Sequence, residues 1–236
     1  MQEKISISID SDLISKVDNL VDGRNIKKRS QAFEFVVKEY FKEEVIKDLV
    51  ILGGSNVKID SKVVADNIKK LMKFGIKEVF IIGDKNFNDL KNDLSKLGLT
   101  VKTIEEKTLA GTAGALSLVK NEIKKTFFVI FINIKFEFNI DEMIKVHKQS
   151  NSIATIGVTL STKNTVPDNI VVEGNRIVSY NKTKNQFINA GIYLFESEIF
   201  SYLPKKGTFD KDVFPKLAEK GKLHSYIITE KWEYLG

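Results

Sequence analysis

The stretch Leu49-Val50-Ile51-Leu52-Gly53-Gly54 decides the fold class. Four consecutive apolar residues, two of them β-branched, run straight into paired glycines. A strand apolar on both faces must be covered on both faces, as in a parallel sheet, and the glycines free the loop after it to approach a ligand. Working outward, Val63, Val64, Ile68, Leu71 and Met72 share one helical face that stops near Gly75. Val79 to Gly83 repeats the strand-then-glycine pattern. Leu90, Leu94 and Leu97 mark another helix, ended by Gly98. Leu99 to Val101 is short and extended, Ala115 to Ile123 reads as helical, and Phe127 to Ile132 is a third strong strand. Strands alternating with helices specify an α/β domain with a mixed, mostly parallel sheet and a right-handed first crossover. After residue 150 the texture changes. Strands are expected over residues 153–159, 170–172, 177–180 and 188–195, with a tight turn at Gly174-Asn175 and helices over 196–202 and 212–219.

The N-terminal segment has a different period. Ile5, Ile7 and Ile9 alternate with Lys4, Ser6 and Ser8, a strand pattern of period two. Two amphipathic helical stretches follow, one carrying Leu13, Ile14, Val17, Leu20 and Val21, the other Ala32, Phe33, Val36, Val37, Tyr40 and Phe41, with Ser30 as the expected N-cap. A single strand needs a ladder partner for its N–H and C=O groups. The same strand of a second copy can supply it, so a homodimer is expected, and dimers can pair into tetramers. The boundary falls in the charged run Glu43 to Asp48, giving domains over 1–44 and 48–236.

Composition excludes some chemistry. The chain has 236 residues and no cysteine, so thiol and iron–sulfur chemistry are out. His147 and His224 are far apart, which argues against a histidine-based zinc site. No apolar run is long enough to span a membrane, and no signal peptide is evident, so a cytoplasmic protein is expected. The net charge of +6 lies wholly beyond Lys47; up to that point nine basic residues balance nine acidic ones. Two of the three arginines, Arg24 and Arg29, sit in the loop that also holds Lys27 and Lys28.

The order strand, helix, helix, with Arg29-Ser30 opening the second helix, resembles the ribbon-helix-helix DNA-binding family over about the first 43 residues. That resemblance implies a β-α-α dimer whose paired strands enter the major groove of double-stranded DNA, with Lys4, Ser6 and Ser8 at base edges. Arg24, Lys28 and Arg29, with Ser30 and Gln31 at a helix N-terminus, would meet phosphates.

From Asp48 onward the chain resembles the sugar-phosphate nucleotidyltransferase family, a Rossmann-like α/β fold. The resemblance rests on Leu52-Gly53-Gly54, Ala110-Gly111-Thr112-Ala113-Gly114-Ala115, Asn189-Ala190-Gly191-Ile192-Tyr193 and Trp232, in that order. It implies that Gly53, Gly54, Gly111 and Thr112 lie around a nucleoside, that Asn189 and Gly191 lie near a sugar, and that Lys182 matches a lysine meeting the sugar phosphate. The departures are as informative. The family's long Gly-Thr-Arg loop is cut to Ser55-Asn56-Val57-Lys58-Ile59. Ile134-Lys135 stands at the place of the first metal-binding aspartate and Tyr234 at that of the second. A lysine and a tyrosine cannot hold Mg²⁺, although Lys135 can meet a diphosphate directly.

The expectation is therefore a transcriptional regulator, not an enzyme. The N-terminal unit reads DNA, and a catalytically degenerate domain senses a nucleotide or nucleotide-sugar or mediates assembly, with no cofactor and no bound metal. The rival reading is an active sugar-phosphate nucleotidyltransferase whose N-terminal unit dimerises or autoregulates.

Overall fold

A computed structural model describes residues 6–40, 45–54, 60–84, 87–161, 168, 170–180 and 187–235. The chain forms two compact units, 1–44 and 45–236.

The first unit contains helices α1 (Ser11–Asp18) and α2 (Arg29–Tyr40). Asp10 caps α1, its carboxylate accepting from the Asp12 N–H at 2.8 Å. The turn between the helices is built on Asp22, which accepts from the N–H groups of Arg24, Asn25 and Ile26 at 2.8–2.9 Å. Val17 and Ala32 are buried, while Ile7, Leu13, Phe35 and Val37 are exposed.

Several N-terminal expectations are corrected here. Residues 6–10 are not in a strand, and Ser6 and Ser8 are exposed coil; Lys4 lies outside the described residues. Ser30 is inside α2 and does not cap it. Gln31 instead ties down the turn before the helix, its side-chain oxygen accepting from the N–H groups of Lys27 and Lys28 at 2.8 and 3.2 Å. Arg29 does not offer a free fork for phosphate. Its guanidinium grips Asp18 at 2.6 Å through both Nε and Nη2. Each group holds the other in its charged form, lowering the Asp18 pKa and raising that of Arg29, chiefly through the hydrogen bond.

The second unit runs β1 (Asp48–Leu52), α3 (Ser61–Met72), β2 (Glu78–Gly83), α4 (Asn88–Ser95), β3 (Thr100–Glu105), α5 (Gly111–Ser117), β4 (Phe127–Phe131), β5 (Ile134–Glu137), α6 (Ile140–Ser150) and β6 (Ala154–Leu160). It continues through β7 (Val171–Glu173), β8 (Arg176–Ser179), β9 (Phe187–Phe195), a 3₁₀ turn (Ser197–Ser201), a π turn (Phe209–Val213), α7 (Phe214–Glu219), β10 (Leu223–Ile227) and β11 (Lys231–Tyr234). The main sheet has nine strands in the order β3-β2-β1-β4-β9-β6-β10-β8-β7. The strands β3, β2, β1 and β4 are parallel; β9 and β8 run against the rest. This is the large mixed, mostly parallel sheet expected from the alternation of strands and helices. A second, two-stranded sheet pairs β5 with β11.

The sheet is covered on both sides. One core packs Val50, Phe80, Val129, Tyr193 and Phe195 under α5 and α7. The other packs Leu49, Ile51, Ile81, Ile130 and Leu194 under α3, α4 and α6. Alternate residues of one strand enter opposite cores, which is why Leu49 to Leu52 had to be apolar throughout. Among the described residues, no helix is long and apolar enough to cross a membrane.

Candidate functional site

The carboxyl ends of β1, β2 and β4 point to one edge of the sheet, where parallel α/β sheets place ligands. A cleft of about 360 Å³ opens there. Gly53 and Gly54 form its floor, with Leu52, Ile82, Phe131 and Leu109 as apolar walls and Glu106, Thr112, Asn133 and Tyr234 as polar ones. Gly53 needs its lack of a side chain: a Cβ there would sit 2.8 Å from the Phe87 ring.

The glycine-rich turn into α5 forms the opposite rim. Gly111 has φ +76°, and a Cβ on it would lie 2.4 Å from the carbonyl oxygen of Gly207. That oxygen accepts from the N–H groups of Ala113 and Gly114 at 3.1 and 3.4 Å, and the Thr112 hydroxyl accepts from the Phe209 N–H at 2.9 Å. The Ala113 and Gly114 N–H groups in the first turn of α5 are thus spent on the Gly207 carbonyl. Glu106 accepts from the Ala110 N–H at 2.6 Å and holds the loop between them.

Beside the cleft, β9 carries a second polar cluster. The Asn189 side chain accepts from the Gly191 N–H at 3.0 Å and donates to Asp210 at 3.2 Å, and the Tyr180 hydroxyl donates to Asp210 at 2.7 Å. Gly191, at φ +71°, brings the strand against Phe131 of the cleft wall, where a Cβ would meet the ring at 2.8 Å. Asp168 lies in the same cluster. Burial first, and then the charge of Asp210, push its carboxyl up to about 6, against the hydrogen bond from Asn189. Burial also raises the Tyr180 hydroxyl, so that it remains a proton donor. Trp232 anchors β11 by donating to the Ala190 carbonyl at 2.8 Å, and so sets Tyr234 at the cleft.

The structure thus gathers Gly53, Gly54, Gly111 and Thr112 in one cleft, with Asn189 and Gly191 adjoining it. Lys182 lies outside the described residues. Lys135 is not at the cleft: it lines a groove between α3 and β5. The residue after β4 that does face the cleft is Asn133, which the sequence reading passed over. Glu106, Asp168, Tyr180 and Asp210 were also missed; none sits in a periodic or glycine-marked pattern. The Mg²⁺ that the resemblance implies does not fit the described residues. The cleft offers Asn133, Tyr234 and the carboxylate of Glu106, which is engaged by the Ala110 N–H, and among the described residues no three acidic, histidine or cysteine side chains cluster to hold a metal.

The family model described as "Nucleotidyl transferase" matches residues 47–236. The catalytic subunit beta of mannose-1-phosphate guanylyltransferase from Danio rerio is 24% identical over 220 residues, covering 81% of this chain and 61% of that protein. A probable mannose-1-phosphate guanylyltransferase 2 from Oryza sativa subsp. japonica is 27% identical over 226 residues, with the same coverage. The chain spans about 61% of the length of these curated relatives. Among solved structures, a putative glucose-1-phosphate thymidylyltransferase from Bacillus anthracis superposes with TM-score 0.68 at 18% identity, covering 80% of this chain and 89% of its own. The inositol-1-phosphate CTP transferase of T. maritima gives 0.62 at 16%, covering 80% of this chain. The structural likenesses show the fold alone. The curated relatives overturn the expectation of a DNA-binding transcriptional regulator that is not an enzyme: they are nucleotidyltransferases, and neither the matches nor the N-terminal unit gives support for double-stranded DNA as a partner.

Proposed function

We propose, from the premise that this chain belongs to the nucleotidyl transferase family, that it is an enzyme that joins a nucleoside triphosphate to a sugar phosphate. The observation that carries this reading is the adjacency of two unlike sites. One is a glycine-floored cleft with apolar walls, suited to a planar base. The other is the Asp168–Asn189–Asp210–Tyr180 cluster, whose acceptors and donors suit the hydroxyls of a sugar.

In the reaction, a phosphate oxygen of the sugar phosphate attacks the α-phosphorus of the triphosphate. The bond to the bridging α–β oxygen breaks, pyrophosphate leaves, and a sugar nucleotide forms. The described residues bind and orient the two substrates. Held side by side, the attacking and receiving atoms gain the rate advantage of proximity.

The relatives' names make GTP and mannose 1-phosphate the first pair to test. The full chain is incubated with each of several triphosphate and sugar 1-phosphate pairs, with and without Mg²⁺. Released pyrophosphate is measured, and the sugar nucleotide is identified by mass. Release with at least one pair supports the reading; none across the panel, with intact folded protein, overturns it. For the N-terminal unit, the exposed apolar residues of α1 and α2 favour self-association.

A further inference from the structure

A groove of about 550 Å³ lies between α3 and β5, apart from the cleft. It holds Lys62, Lys70 and Lys135 together with Asp66, Asn67 and Glu137. The charges are unevenly paired. Asp66 meets Lys69 at 3.3 Å and Glu137 meets Lys231 at 3.7 Å. Lys70 donates to the Phe136 carbonyl and lies over the Phe136 ring. The ammonium groups of Lys62 and Lys135 have no carboxylate partner among the described residues.

Asn67 supplies a second and independent observation. It is only 1% exposed, and its Nδ2 donates to the Ile134 carbonyl at 2.7 Å. Its Oδ1 is buried with no hydrogen-bond partner among the described residues. A buried acceptor left unmet is costly. The groove therefore asks for a ligand with anionic oxygens for two ammonium groups and one hydroxyl for an amide oxygen.

We propose that this groove binds a terminal phosphate group, with Lys62 and Lys135 on its charged oxygens and Asn67 Oδ1 accepting from its P–OH. The second ionisation of a phosphate monoester lies at about 6, so near neutrality part of the population keeps that proton. A sulfate or carboxylate is fully ionised there and has no proton to give Asn67. The phosphate can be the tail of a triphosphate seated in the neighbouring cleft, since Lys135 follows Asn133 by two residues, or a separate phosphorylated ligand. Either way, protein ammonium groups offset phosphate charge beside a cleft whose carboxylate, Glu106, is engaged by the Ala110 N–H.

Calorimetric titration of the full chain tests this with inorganic phosphate, sulfate, a nucleoside monophosphate and the matching triphosphate. Inorganic phosphate, which keeps a P–OH as mono- and dianion, should bind more tightly than sulfate, which has none, at about pH 6.5. The exposed pair K62A/K135A should weaken phosphate by about tenfold or more. Asn67→Leu should erase the preference for phosphate over sulfate. If that variant does not fold, a simple phosphate monoester such as glycerol phosphate reads the same contact: its affinity relative to inorganic phosphate, whose dianion keeps a P–OH, should fall between about pH 5 and 8 as the monoester P–OH ionises. Triphosphate competing with phosphate, and weakened by K62A/K135A while the monophosphate is not, assigns the site to the nucleotide tail. Simultaneous binding of both assigns it to a separate ligand. Equal phosphate and sulfate affinity, or no effect of K62A/K135A, overturns the proposal. Lysine-dependent phosphate binding without any pyrophosphate release would leave the groove standing and remove only the proposed reaction.

Discussion

The backbone N–H of Asn189 donates to the Asp168 carboxylate at 2.6 Å, while the Asn189 side chain reaches Asp210. One residue of β9 thus gathers two carboxylates, and the charge of Asp210 raises the cost of ionising Asp168. Asp168 carries the effect, with its carboxyl pushed from 3.8 up to about 6 by burial and by Asp210. A raised carboxyl binds its proton more tightly in the folded protein than in the unfolded chain. Its contribution to stability is therefore complete below about 4 and lost as pH rises through about 6. Asp168→Asn keeps an acceptor for the Asn189 N–H and removes the charge. It should stabilise the protein at pH 7 by about 1 kcal/mol, a discounted figure because the carboxylate is partly open to water. It should also raise the KM for the sugar phosphate. Chemical denaturation at pH 4.5 and 7 checks the first effect, because the gain should shrink at the lower pH.

The opposite sign applies at the far end of the sheet. His147, buried on α6, meets Glu196 at 3.0 Å and Thr155 at 2.8 Å, and Thr126 donates to the same Glu196 oxygen at 2.9 Å. The hydrogen bond from His147 holds the Glu196 carboxyl below its ordinary 4.5, against the pull of burial. That stability is present above 4.5 and disappears as pH falls through the lowered value. Glu196→Gln should flatten the acid limb of a stability–pH curve. His147→Ala should cost about 1–3 kcal/mol at neutral pH, because it leaves buried partners unpaired. Thermal unfolding across pH 3 to 7 reads both.

Much of this architecture could be read from residue order. The apolar runs at Leu49 to Leu52, Val79 to Ile82 and Phe127 to Phe131 became β1, β2 and β4, because strands covered on both faces must be apolar throughout. The paired strands β5 and β11 escaped notice. Their Ile-Lys-Phe-Glu and Lys-Trp-Glu-Tyr alternation is short, and its partner lies about a hundred residues away. The same blindness misplaced the cleft residue after β4. A turn at residues 132–133 puts Asn133 at the cleft and turns Lys135 to the groove, and local pattern does not report such a turn. Asp168 and Asp210 come into one cluster through Asn189 of β9, which donates to both. At the N-terminus, the period-two run extends over residues 6–10, which form no strand within the chain itself. Arg29 chose Asp18, a partner eleven residues back that charge counting could not rank.

Gly111 tests the rim of the cleft. Its φ of +76° disfavours any side chain, and a Cβ would press on the Gly207 carbonyl oxygen that closes the start of α5. Both partners are backbone, so neither can swing aside. Gly111→Ala should destabilise the protein by about 1–3 kcal/mol. It should weaken nucleotide binding more than Gly98→Ala does; Gly98 has a similar φ of +82° with open space around it. Fluorescence titration with a labelled nucleotide, set beside the melting temperature of each variant, separates lost rim from lost fold.

Asn133 and Tyr234 decide how the cleft treats a divalent cation. An amide oxygen and a phenol lack the ionised oxygens that hold Mg²⁺, and the ion surrenders its water reluctantly. Mg²⁺ alone at millimolar concentration should leave the melting temperature of the wild type unchanged. Both residues line the same cleft, so Asn133→Asp with Tyr234→Asp would set two carboxylates at its mouth. In the absence of the ion their repulsion should lower stability. With the ion at ten times its dissociation constant, stability should recover by about 1.4 kcal/mol through binding to the folded state alone. A Mg²⁺-dependent rise in the wild type, equal to that of the double variant, would mean that the cleft already holds the ion by other groups. A rise confined to the double variant would show that these two positions are what keeps the ion out.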